Sequence, residues 1–314
     1  MTDADYQTIV FDLPDDYEGA VRATLLALPA RHKSSSAVLY LHDYVDYYFQ
    51  HHMGQFFASH DRNFYALDLR KCGRSWMPHQ HFNYCRSLSE YYPEIDRAID
   101  RMLADGNCDI TLMGLGTGGL LAALYGAEGG RRAFVNRLIL NSPFLEFNNG
   151  WLTSRLAGAI CRRWPYATAR NPMSPVYLDS IRADRHGEWA FDPVMKPYRL
   201  PSLPLAWALA MRQAQRKVQQ GLGLTIPVLV MFSSRSSWHR HWDEEAMCTD
   251  TLLAVWHIRH YAAQLGSNVT LAEIRGGLHD LVLSRSDVRE EALTRMEYFI
   301  EKTSQECTPP EADA

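Results

Sequence analysis

The chain has 314 residues, 46% of them apolar and 22% charged, and its 32 basic and 36 acidic residues leave a net charge of −4. These are ordinary globular values, which exclude disorder, collagen and coiled coil for most of the chain. They also leave no electrostatic footprint for nucleic acid. No apolar run approaches the ~18–20 residues of an integral membrane span. The acidic start lacks the apolar segment of a signal peptide. Six scattered cysteines without a CxxC pair predict reduced thiols, no metal site and a cytoplasmic location.

In chain order, residues 37–43 (AVLYLHD) read as a buried strand, residues 48–60 as a helix and residues 63–70 (NFYALDLR) as the next strand. Residues 87–105 carry apolar side chains at helical spacing, with Ser87 or Ser89 as the cap. A strand over 110–114, a glycine cluster, a helix over 120–127 and a strand over 137–141 follow. This rhythm predicts an α/β fold with a mostly parallel central sheet flanked by helices. It breaks over residues 144–222, which are rich in proline and tryptophan. They are expected to form an inserted lid between an N-terminal core part (1–143) and a C-terminal core part (223–304), with a flexible tail at 305–314. A strand over 227–233, a helix over 251–265, a strand over 269–275 and a helix over 288–302 complete the pattern.

In an open parallel sheet, ligands bind beyond the carboxyl ends of the strands. Those ends hold His42-Asp43-Tyr44, then Gly114-Leu115-Gly116-Thr117-Gly118-Gly119, then a Ser/Arg/Trp/His stretch leading to Asp250, and last Gly277-Leu278-His279-Asp280. The glycine cluster fits the GxGxxG dinucleotide fingerprint. However, that motif expects an acid about 20 residues on, at the end of the next strand, where this chain has Asn141-Ser142-Pro143. The same glycines fit a nucleophile elbow, G-x-S-x-G on a tight strand-to-helix turn, with Gly116 at the serine position.

Taken together, these residues resemble the α/β-hydrolase superfamily, and within it the monoglyceride lipase, lysophospholipase and serine aminopeptidase-like group. The likeness spans roughly residues 37–300. It rests on His42, the run from Asp68 to Ser75, the elbow with Thr117-Gly118-Gly119-Leu120, Asn141-Ser142-Pro143, the PVLV run at 227–230 and Gly277-Leu278-His279-Asp280. The resemblance implies an acyl-ester hydrolase with His279 as general base. It implies a catalytic acid at Asp250, with Asp243 as the fallback, since Ser236 stands where the acid usually does. His42, Asp43, Tyr44 and Thr117 would form the oxyanion and binding loop. It implies no metal or organic cofactor and a small apolar or acyl-ester ligand.

Three positions depart from the family pattern: Leu115 for histidine and Gly116 for serine at the elbow, and Asp43 for glycine in the oxyanion loop. Glycine has no atom to attack a carbonyl. A carboxylate in the oxyanion loop repels a developing negative oxygen unless it turns away. The leading expectation is therefore an impaired or non-catalytic, ligand-binding relative of the esterases. Two alternatives stand beside it. One is a slow serine-independent hydrolase, lyase or isomerase with His279 and Asp250 as general base. The other is an active esterase carrying an introduced Gly116.

Overall fold

The computed structural model describes residues 5–148 and 160–304. Its centre is an eight-stranded sheet of β1 (Gln7–Asp16), β2 (Gly19–Leu28), β3 (Ser36–Leu41), β4 (Asn63–Asp68), β5 (Asp109–Leu115), β6 (Val135–Asn141), β9 (Val228–Ser233) and β10 (Val269–Ile274). The spatial order is β1-β2-β4-β3-β5-β6-β9-β10. From β4 to β10 the strands are parallel, and β1 and β2 add an antiparallel hairpin at one edge. The mostly parallel sheet expected from the strand–helix rhythm is present, in the α/β-hydrolase arrangement that the resemblance implies.

Strands that are buried on both faces need helices on both faces. Leu39, Leu41, Leu112, Leu138 and Leu140 point to one side, where α2 (Tyr92–Ala104) and α3 (Thr117–Glu128) cover them. Val38, Tyr40, Met113, Ile139 and Met231 point to the other, against Met53 and Phe57 of α1 (His51–Ser59). The final helix, Ser286–Thr303, packs on that same side through Leu293, Met296 and Ile300.

Several elements differ from the pattern-based expectation. The hairpin β1–β2 was not expected, because β1 is an edge strand, exposed along much of its length, with Pro14 at its irregular end. Edge strands tolerate proline and carry weak alternation. The helix expected over 87–105 divides into a 3-10 turn, Leu88–Tyr91, and α2. Ser87 caps it in a reciprocal box with Glu90, and Pro93 opens the α-helix, where its missing N–H costs nothing. The helix expected over 251–265 spans only Val255–Ala262. Before it, the Asp250 carboxylate accepts from the amides of Leu252 and Leu253, both at 2.8 Å, and holds that stretch as a turn.

Between β6 and β9 the described chain forms β7 (Thr168–Ala169), α4 (Val176–Ile181), β8 (Leu203–Pro204) and α5 (Leu205–Gln219). A buried Lys196–Asp46 ion pair at 2.7 Å and a Trp189 Nε1–H bond to the Leu283 carbonyl tie this stretch to the core. Among the described residues Cys72, Cys85, Cys161 and Cys248 are free thiols. Among the described residues no helix is long and apolar enough to cross a membrane.

Candidate functional site

The turn between β5 and α3 centres on Gly116, whose φ of 53° and ψ of −112° no side-chain-bearing residue adopts without strain. Gly118 follows two residues later and lets the turn pass under β3, since a Cβ there would collide with the Leu41 carbonyl oxygen. The first amide of α3, that of Thr117, is left without an intrahelical partner, as at every helix start. At an elbow of this kind, that amide would face a developing oxyanion.

Here it faces Asp43. The Thr117 N–H donates to Asp43 Oδ1 at 2.7 Å. The other carboxylate oxygen, Oδ2, lies 3.3 Å from His279 Nε2. His279 Nδ1 lies 3.0 Å from Asp250 Oδ2. Four strand ends are thus joined in one row: the β3 loop, the α3 start, the loop after β10 and the loop after β9. A Cβ built on Gly116 would stand 2.3 Å from the Asp43 Cγ and Oδ1. The Asp43 carboxylate therefore fills the space into which a side chain at position 116 would project.

The electrostatics follow from this packing. His279 is 2% exposed, and burial alone would disfavour its charge. The Asp250 and Asp43 carboxylates overcome that penalty and raise its pKa to about 10. Burial likewise pushes the Asp43 carboxyl up, but the His279 hydrogen bond and charge, with the Thr117 and Tyr44 amides, hold it below its ordinary range. The two carboxylates flanking the ring thus favour its protonated form. In that form both imidazole nitrogens donate, one to each carboxylate.

The remaining expected site residues divide. His42 is buried and structural: its Nδ1–H donates to the Asp43 carbonyl at 2.7 Å, and its Nε2 accepts from the Leu69 amide at 3.1 Å. Tyr44 packs at a tilt against Trp207 of α5, with ring centroids 4.0 Å apart. Asp243 caps a 3-10 turn and pairs with His239, away from His279, so Asp250 is the acid that meets the imidazole. Ser236 bonds the Leu253 carbonyl and the Val255 amide and shapes the turn that carries Asp250. In the stretch between β6 and β9, Trp189 is held by its bonds to the Ile181 and Leu283 carbonyls.

Other polar groups beneath the centre were not foreseen. Asp280 accepts from Asn141 Nδ2 at 2.8 Å and from Gln50 Nε2 at 3.0 Å. Its burial, with Asp46 nearby, raises its pKa to about 6, although the Gln50 bond works against that. Asn83 and Trp207 flank a small cavity beside Asp43. Trp207 belongs to the tryptophan-rich stretch expected to form a lid, and no local pattern marks Asn83. Among the described residues no group of three or more His, Cys, Asp and Glu side chains is arranged to hold a metal ion.

Comparison with known proteins places this geometry. The serine aminopeptidase S33 family profile matches residues 32–285. The fold is similar to a soluble variant of monoglyceride lipase from Saccharomyces cerevisiae in complex with a substrate analog, with a TM-score of 0.70 at 13% identity over 94% of this chain and 96% of that one. It is also similar to the Paleococcus ferrophilus monoacylglycerol lipase, with a TM-score of 0.62 at 16% identity over 95% and 99%. A search of the curated proteins returns no match. The family match over most of the chain identifies it as a member of the serine aminopeptidase S33 family of α/β-hydrolases.

Proposed function

We propose that this protein is a non-hydrolytic member of its family, which binds a small apolar or acyl ligand and does not cleave one. The observation that carries the reading is the Asp43 carboxylate, seated beside Gly116 and shared between the Thr117 amide and His279. Serine hydrolysis needs a nucleophile at the elbow, a neutral imidazole to take its proton, and amides free to receive an oxyanion. Gly116 supplies no nucleophile. The two flanking carboxylates keep His279 protonated, and the Thr117 amide is already engaged.

The serine-independent alternative is weakened by the same arrangement. A general base must be unprotonated at working pH, and an imidazole with a pKa of about 10 is not. The alternative of an introduced glycine also fits poorly. A serine at 116 would drive its Cβ into the Asp43 carboxylate, so Gly116 and Asp43 suit one another as a native pair.

The test is turnover of aryl and monoacylglycerol esters by the wild type and by His279→Ala. We expect equal, background rates from both. Wild-type turnover that His279→Ala abolishes would refute the reading.

A further inference from the structure

The stretch between β6 and β9 holds a second cavity, a cleft of about 500 Å³ whose lining includes Thr168, Arg170, Met173, Arg199, Leu200 and Ser202. That is the size of a small-molecule site. It shares no lining residue with the cavity beside Asp43. Strands β7 and β8 build it by pairing Thr168 with Pro204 and Ala169 with Leu203. The Leu205 amide extends the pairing by donating to the Ala167 carbonyl at 2.9 Å. Asn171 closes the clip: its Nδ2 donates to the Pro201 carbonyl at 3.1 Å, and its Oδ1 accepts from the Met173 amide at 3.1 Å. Arg170 directly follows β7 and Arg199 shortly precedes β8, so the clip brings two arginines distant in sequence into one cleft. Met173 and Leu200 pack against the core and give the cleft an apolar side.

No acidic side chain lines this cleft, and neither guanidinium has a hydrogen bond or ion pair to another described residue. The acids of the same stretch are engaged elsewhere. Asp179 and Asp184 pair with Arg182, Glu188 pairs with Arg289, and Asp192 accepts from the Val194 amide. Two like charges held in one cleft repel each other, and walls of one sign focus the field on an anion between them. The Thr168 and Ser202 hydroxyls add neutral donors. A carboxylate matches one guanidinium fork. A phosphate monoester carries close to two negative charges at pH 7 and three acceptor oxygens, so it can match two. We propose that the cleft is a binding site for a phosphate monoester, whose terminal oxygens are shared by Arg170 and Arg199 and whose organic part lies against Met173 and Leu200. No bond is made or broken.

Calorimetric titration tests this with phenyl phosphate and benzoate on the wild type, Arg170→Gln, Arg199→Gln and the double variant. Both arginines are exposed, so the variants should melt with the wild type. The wild type should bind phenyl phosphate more tightly than benzoate. Each single variant should weaken phenyl phosphate about fivefold or more, and the double variant should lose it. Cosedimentation with phosphatidylcholine vesicles, with and without phosphatidic acid, separates a soluble ester from the same group on a lipid. Binding of phenyl phosphate alone assigns the site to a soluble ester. Retention on phosphatidic acid vesicles alone, lost in the double variant, assigns it to a lipid headgroup. Wild-type protein that binds neither, that binds benzoate as tightly as phenyl phosphate, or that the double variant matches overturns the proposal. Ester turnover by the wild type would overturn the non-hydrolytic reading and leave these titrations unchanged.

Discussion

Placing serine at position 116 is the most informative single perturbation. The new Cβ would stand 2.3 Å from the Asp43 Cγ and Oδ1, so the carboxylate must leave. Leaving gives up its bonds to the Thr117 amide and to the His279 imidazolium, each worth about 1.5–3 kcal/mol as a hydrogen bond to a charged group. The positive φ adds about 1–3 kcal/mol of backbone strain for a residue with a Cβ. Gly116→Ser is thus expected to lose about 4–9 kcal/mol, a large share of the about 5–15 kcal/mol of a typical domain. It should remain inactive on esters, since a displaced carboxylate stays near the elbow. Asp43→Gly combined with Gly116→Ser removes both the collision and the charge. His279 then loses a carboxylate neighbour, its pKa falls, and it can accept the serine proton. That double variant should be more stable than Gly116→Ser alone and should hydrolyse aryl esters. Urea unfolding followed by tryptophan fluorescence, with turnover on the same samples, reads both effects. Gly116→Ser that unfolds within about 0.5 kcal/mol of the wild type, or matches the double variant in rate, would refute this account of the centre.

Other consequences follow from the buried charges. Asp250→Asn strips His279 of its fully buried partner and should cost about 3–5 kcal/mol; NMR titration of the imidazole should show its pKa falling, and an unchanged value would remove Asp250 from the row. Because the folded pKa of His279 is raised above the unfolded value, its contribution is full below about pH 6.5 and is lost as pH rises to about 10. Wild-type stability should therefore decline across that window by a few kcal/mol relative to His279→Gln, and parallel curves would contradict it. Lys196→Met leaves Asp46 buried without its cation and should cost about 3–5 kcal/mol, most of it recovered when Asp46→Leu is added; a neutral single variant would mean that the pair does not hold this stretch to the core.

The parallel part of the sheet was legible because its strands are short apolar runs that end at chemistry-bearing turns. The residues at those ends, His42, Asp43, Thr117, Asp250 and His279, could be picked from the sequence for the same reason. The choice of Asp250 over Asp243 was not fixed by local pattern alone. It depends on the turn in which Leu252 and Leu253 donate to one carboxylate oxygen and leave the other for His279. The edge hairpin escaped because exposed edge strands carry little alternation. Asn83 and Lys196 escaped because each reaches the centre or its surroundings from a segment whose local pattern reports only its own packing.

Asp43 shows where residue-by-residue reading stops. In the sequence it stands as an obstacle, a carboxylate in a loop meant for an oxyanion, tolerable if it points away. In the structure it points inward, and Gly116 is the reason it can. Gly116 carries no Cβ, and the space where one would stand is where Asp43 reaches the Thr117 amide and the His279 ring at once. Each change alone would be costly. Asp43 beside a serine would collide with it, while Gly116 without Asp43 would leave the Thr117 amide and one face of the imidazole unpaired in a sealed site. The two positions therefore act as one coupled unit. Their coupling in a double-mutant cycle should exceed the few tenths of a kcal/mol of independent sites.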